Sequence, residues 1–272
     1  MVFFIKMADY QFKWNSQAMT HLPRQSCALG LCLWGACLTG GQALAQTQDT
    51  AEQAWGMSVG VQRYSESLMQ LQGPEIGVHW RNHAQTQRTG VQLEVDAIWG
   101  LQNYSSPVSG TLKSIPNIHT RWRLMAPVSF MPSVSYGLAL HTDYNNMRGI
   151  TSVGHGGYER ISTQLWLPLR WTLPTAQAWE LDAGVLLWGQ HVSRLSQATA
   201  NSEDVTNTQD IGLYLQAATA INTSRGKVTP FLRWAWIDHS NVVLAKVSGV
   251  MKDGLHEPRN NRVQVGLQWQ LR

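Results

Sequence analysis

The chain has 272 residues, 14% of them charged and 43% hydrophobic, with 13 Trp and a formal net charge of +4. Neither sign of charge forms a run or patch, which excludes a nucleic-acid-binding surface. Apart from the N-terminal region, no stretch reaches the roughly 18–20 uninterrupted apolar residues of a membrane helix, so a membrane location would require a closed sheet.

The first element is a leader. Cys27, Cys32 and Cys37 are the only three cysteines, and all fall in one apolar segment near the N-terminus. A thiol-free remainder suits export into an oxidising compartment. Arg24 supplies positive charge, residues 27–38 an apolar core, and Ala43-Leu44-Ala45 a small-x-small site. These parts predict a signal peptide over 1–45, cleaved before Gln46. Met19 is an alternative start that gives a leading region of ordinary length. A lipoprotein reading at Cys37 is disfavoured, because Trp34 stands where such signals carry Leu. The leader holds three of the 21 basic residues (Lys6, Lys13, Arg24) and one of the 17 acidic ones (Asp9), so its removal lowers the net charge from +4 to +2.

A short periplasmic lead-in, 46–54, precedes the barrel proper, 55–272. From Trp55 onward apolar and polar residues alternate with period two. Trp55, Met57, Val59 and Val61 open the pattern, and further segments follow at 76–81, 91–99, 118–124 and 134–140. The second half repeats it at 161–171, 179–187, 211–221, 228–236 and 263–271. Each is a half-apolar strand of roughly 8–11 residues, the length a tilted membrane strand needs. Connections 82–89, 127–132, 173–178 and 222–227 are short. Connections 63–74, 100–117, 142–157, 190–210 and 238–262 are mostly longer and polar. Short and long alternate throughout, the layout of an outer-membrane barrel with both termini periplasmic.

A soluble lipocalin-like barrel also alternates, but hides its apolar face. Two features favour the membrane. Ten strands exceed the usual eight of such ligand-binding barrels. The aromatics also fall at strand ends: Trp55, Trp80, Trp171, Trp179 and Trp269 at one, and Tyr64, Trp99, Tyr104, Tyr158 and Trp236 at the other. Two such belts suit two membrane interfaces.

The final segment, Gln264-x-Gly266-x-x-Trp269-x-Leu271, resembles the C-terminal assembly signal of small Gram-negative outer-membrane β-barrels. It departs from that pattern in ending Leu271-Arg272 rather than in Phe. With the leader, the resemblance covers 46–272 and identifies no single family. It implies an all-β, closed antiparallel transmembrane barrel of ten strands, with eight or twelve as alternatives. It also implies an outer-membrane location, with membrane lipid, lipopolysaccharide and the barrel-assembly machinery as partners.

Chemistry is harder to find. Ten-stranded barrels include the omptin proteases, which use paired acids and an Asp-x-His couple. Glu94 and Asp96 stand two apart, but Asp238-His239 are adjacent, and adjacent strand residues face opposite ways. Outer-membrane lipid A deacylases use a His-x-Ser pair plus an acid, a spacing matched by His191 and Ser193 with Glu203 downstream. A polar loop is the blander account of those residues. No cofactor or metal is expected, and Gly154-His155-Gly156-Gly157 lacks the strand-to-helix context of a phosphate loop.

The polar face is more informative. Glu94 and Asp96 oppose Arg121 and Arg123 on the next strand, and Arg160 and Arg170 oppose Glu180 and Asp182. With Arg233, these are expected to pair inside the barrel rather than remain singly solvated. The reading is a non-enzymatic outer-membrane protein with surface loops, an unknown external ligand and a largely plugged lumen. A narrow porin-like channel and a lipid-modifying enzyme are the alternatives.

Overall fold

Period-two alternation folds here into strands longer than a bilayer requires. The computed structural model describes residues 52–83, 90–173, 178–224 and 226–270. The predicted signal peptide, lead-in residues 46–51 and Leu271 lie outside the described residues. The first seven strands are β1 (Glu52–Ser65), β2 (Gln70–His83), β3 (Gln92–Ser106), β4 (Gly110–Val128), β5 (Met131–Asn146), β6 (Glu159–Leu173) and β7 (Trp179–Ser193). Then come β8 (Val205–Gln209), β9 (Gly212–Thr219), β10 (Ile221–Thr223), β11 (Gly226–Ile237), β12 (Val243–Val247), β13 (Val250–Leu255) and β14 (Asn260–Gln270).

Every neighbouring pair is antiparallel, and β14 pairs with both β11 and β1, which closes the cylinder. Strand β9 lies between β7 and β11, while β8 extends it along β7 and β10 extends it along β11. These three pieces form one wall strand, so the closed wall has ten. Closure gives each full-length wall strand a partner on both sides, as a membrane-spanning sheet demands, while the short extensions β8 and β10 each pair on one side among the described residues. Strands β12 and β13 form a separate hairpin in the last loop.

The faces decide between membrane and soluble barrels. Val59 and Leu138 on the outer face are 57% and 48% exposed, whereas Glu94 and Arg121 on the inner face are 1% and 2% exposed. Apolar outside and charged inside is the transmembrane arrangement.

Three sequence expectations need correction. First, 63–74 and 100–117 are mainly strand, with turns only at 66–69 and 107–109. Pairing continues there through small polar residues such as Ser105, opposite Gln70 and Thr111, so the hydrophobic signal fades while the ladder does not. The wall also starts at Glu52 rather than Trp55.

Second, the belt at the loop end is thinner than expected. Tyr64 shares the parity of inward-facing Gln62 and donates to Glu66, while Tyr104 packs with it around Leu71, Ile115 and Met147. Tyr158 is also turned inward, bonded to Ser193. Trp99 faces outward as expected. At the turn end, Trp55, Trp171, Trp179 and Trp269 are all exposed on the outer face.

Third, 190–210 is not all loop, because β7 continues to Ser193. Its parity inverts at a bulge, where Leu165 faces Trp188 but Trp166 faces Leu186. Leu187 and Trp188 both point outward, and the shift turns His191 and Ser193 into the lumen.

Beyond β7 the long loops dock on one another. The Glu203 N–H donates to the Lys246 carbonyl, its carboxylate accepts from the Lys246 N–H, and the Gly249 N–H donates to the Asn201 carbonyl. Epitope tags at 107–109 or between Ser248 and Gly249 should be labelled on intact cells, and tags at Ser129–Phe130 should not. Antibody binding to whole and lysed cells checks this, and the opposite pattern would invert the topology.

Candidate functional site: the charged lumen

Strand register places the predicted charges side by side. Glu94 lies opposite Arg123 and Asp96 opposite Arg121 across β3 and β4, and Arg170 lies opposite Asp182 across β6 and β7. Arg123 contacts Glu94 at 2.8 Å, Arg121 contacts Asp96 at 3.1 Å, and Arg170 contacts Asp182 at 3.2 Å and Glu180 at 3.4 Å. The same arginines also reach across the lumen. Arg170 of β6 grips both oxygens of Glu94 on β3, at 2.6 and 2.9 Å. Arg123 of β4 meets Asp182 of β7 at 3.0 Å. Each pair joins strands three apart in the wall, so the tier reaches across the lumen.

Sequence reasoning missed three members of this tier. Arg81 lies 3.8 Å from Glu94, His79 Nδ1 lies 2.6 Å from Asp96, and Tyr214 donates to Asp182 at 2.8 Å. Parity on β2 would have found the first two. Tyr214 needs Gly184 opposite it, since a Cβ there would fall 2.3 Å from the tyrosine ring.

Arg233 and Arg160 depart from the expected acid pairing. Arg233 is held by amides, donating to Gln216 Oε1 at 2.6 and 2.8 Å and to Gln264 Oε1 at 2.8 Å. Gln264 Nε2 in turn donates to Gln62 and Glu75. Gln264 therefore serves the lumen, whatever its part in assembly, while Trp269 of the same motif faces outward. Gly266 lies opposite Gly60 and leaves room for the inward ring of Phe231. Nearby, Asp143 accepts from Arg262 at 2.6 Å and lies 2.6 Å from His119 Nδ1.

Arg160 belongs to a second tier at the loop end. It pairs with Glu66 of the first turn at 2.5 Å and with Glu257 of the last loop, far from Glu180 and Asp182 in the register. Neither glutamate lies on a wall strand, so no periodic signal pointed to them.

The deacylase-like residues separate. Glu203 is exposed on a loop, and His191 bonds Ser162 at 2.7 Å rather than Ser193. Glu257 lies 3.3 Å from His191 Nε2, so Ser162, His191 and Glu257 form a serine–imidazole–carboxylate row. Arg160 Nε donates to that same Nε2 at 3.2 Å. The Nε2 atom thus faces both an arginine donor and a carboxylate, a competition that the serine–histidine–acid row of a hydrolase does not have. Asp238 and His239 sit beyond the end of β11, where the opposite facing expected of a strand does not hold: Asp238 lies 3.0 Å from His239 Nδ1 and also accepts from Arg259.

Among the described residues, no cluster of three or more His, Cys, Asp or Glu is placed to hold a metal.

No family model matches the chain, and no curated protein matches it. Among solved structures it is similar to the translocator domain of the autotransporter NalP from Neisseria meningitidis, with 8% identity and a TM-score of 0.45 over 81% of this chain and 88% of that one. It is also similar to the outer membrane protease OmpT from Escherichia coli, at 9% and 0.43 over 81% and 96%. An outer membrane channel from Pseudomonas putida F1 gives 10% and 0.43 over 84% and 99%. These likenesses carry no activity to this chain. By its own wall, faces and lumen, the chain is a closed transmembrane β-barrel of ten antiparallel strands.

Proposed function

We propose that the protein is exported by a signal peptide cleaved before Gln46 and serves as a non-enzymatic outer-membrane barrel. Its lumen is plugged and its loops face the environment, where they meet lipopolysaccharide and an external ligand. The segment Gln264–Leu271 presents the chain to the assembly machinery. The observation that carries the reading is the pair of contacts across the lumen, Glu94 with Arg170 and Arg123 with Asp182. Buried charges of this kind are tolerated only when paired and hydrogen-bonded, so the tier resists opening to a solute.

The competing reading is a narrow channel for small solutes. Planar bilayers separate the two. The wild type should show no steady conductance, while Glu94→Ala or Arg121→Ala should admit transient current. A stable open state in the wild type would put the channel first.

A further inference from the structure

Between the two charged tiers the lumen contains a cavity of about 40 Å³, room for about three water molecules. Arg121, Arg123, Arg233, Arg262, His119 and His141 line it, and no Asp or Glu does. Four guanidiniums around a partly enclosed space without a lining carboxylate need an explanation. Three of them are matched from behind: Arg121 by Asp96, Arg123 by Glu94 and Asp182, and Arg262 by Asp143. Arg233 is not. Its partners are two amide oxygens, and Glu75 is held off behind Gln264, outside the cavity wall.

A second observation is independent of that charge count. Arg121 Nε and Arg123 Nε are buried with no acceptor, in residues only 2% and 3% exposed. Arginine nitrogens cannot accept, so both positions lack an electron-rich partner. Water can supply an acceptor, but it leaves Arg233 with no anionic group in direct contact, since Glu75 reaches it only through Gln264. An anion supplies both.

From this geometry we infer that the cavity is a binding site for one small monovalent anion, of chloride or formate size, seated against Arg233 and Arg121. Room for about three waters suits an anion of that size. The site shares Arg121 and Arg123 with the tier, and its test reads stability and anion density rather than conductance. An anion there gives Arg233 a counterion in direct contact and ties β11 to β4 across the lumen.

Unfolding in urea, followed by tryptophan fluorescence in lipid vesicles, tests this with chloride against gluconate at equal ionic strength. The wild-type midpoint should rise with chloride and level off at saturation, and gluconate should give no rise. Arg233→Gln should lose the chloride response, and Arg233→Lys, which keeps the charge, should retain it. Bromide diffraction from wild-type crystals gives a second readout that needs no variant, with an anomalous peak expected between Arg233 and Arg121. Equal midpoints in the two salts, a response that survives Arg233→Gln, or a cavity holding only water would each overturn the assignment.

Discussion

Glu94→Ala is expected to destabilise the barrel by about 3–5 kcal/mol, the usual cost of removing one partner from a buried charge cluster. Glu94 is 1% exposed and serves three arginines: Arg170 through both oxygens, Arg123, and more distantly Arg81. Its loss leaves Asp96, Glu180 and Asp182 to balance Arg81, Arg121, Arg123 and Arg170. Glu94→Gln keeps the volume and part of the hydrogen bonding, so it should fall between wild type and alanine. Glu203→Ala, on an exposed loop, should stay within about 0.5 kcal/mol of wild type. Urea unfolding in vesicles measures all three. Equal stability of Glu94→Ala and Glu203→Ala would show that the tier does not hold the barrel together.

On the other face of the same wall, Val59→Arg should cost about 2–4 kcal/mol, the range for a cation on the lipid side near the bilayer midplane. Val59 is 57% exposed, lies within the outward row Trp55, Met57, Val59, Val61, and faces Leu267 and Ile76 on either side. Val242, in the last loop, is 53% exposed and lies off the wall strands, so Val242→Arg should shift stability by no more than about 0.5 kcal/mol. Exposure alone does not separate the two positions; the surrounding solvent does. A Val59→Arg variant as stable as Val242→Arg would mean that the apolar belt does not face lipid.

The strands were legible because period two is a local signal, repeated ten times with turns between. The same parity placed Glu94, Asp96, Arg121 and Arg123 on one face, and register then made them neighbours. Parity also carried Arg81, His79, Asp143 and Arg262 inward, and reading the polar half of every strand to its ends would have found them. The choice of partners across the lumen was not legible, because it depends on how ten strands close. That is why Arg160 left Glu180 for Glu66 and Glu257, and why Arg233 took amides. The bulge at Leu187–Trp188 was hidden as well, since two adjacent apolar residues look like an ordinary strand end. Without that shift His191 would face lipid; with it, the residue joins the loop-end tier. The glutamates of that tier come from a turn and a loop, where no periodicity marks which side chain folds inward.

A double-mutant cycle between Arg123 and Asp182 tests the plugged lumen most directly. These residues lie on β4 and β7, three strands apart in the wall, and meet at 3.0 Å only by reaching across the lumen. Arg123→Ala, Asp182→Ala and the double variant would be unfolded in urea from lipid vesicles. The account predicts a coupling energy above about 1 kcal/mol, within the range for residues in one buried network. Single losses that add to within about 0.3–0.5 kcal/mol, as independent sites do, would contradict it.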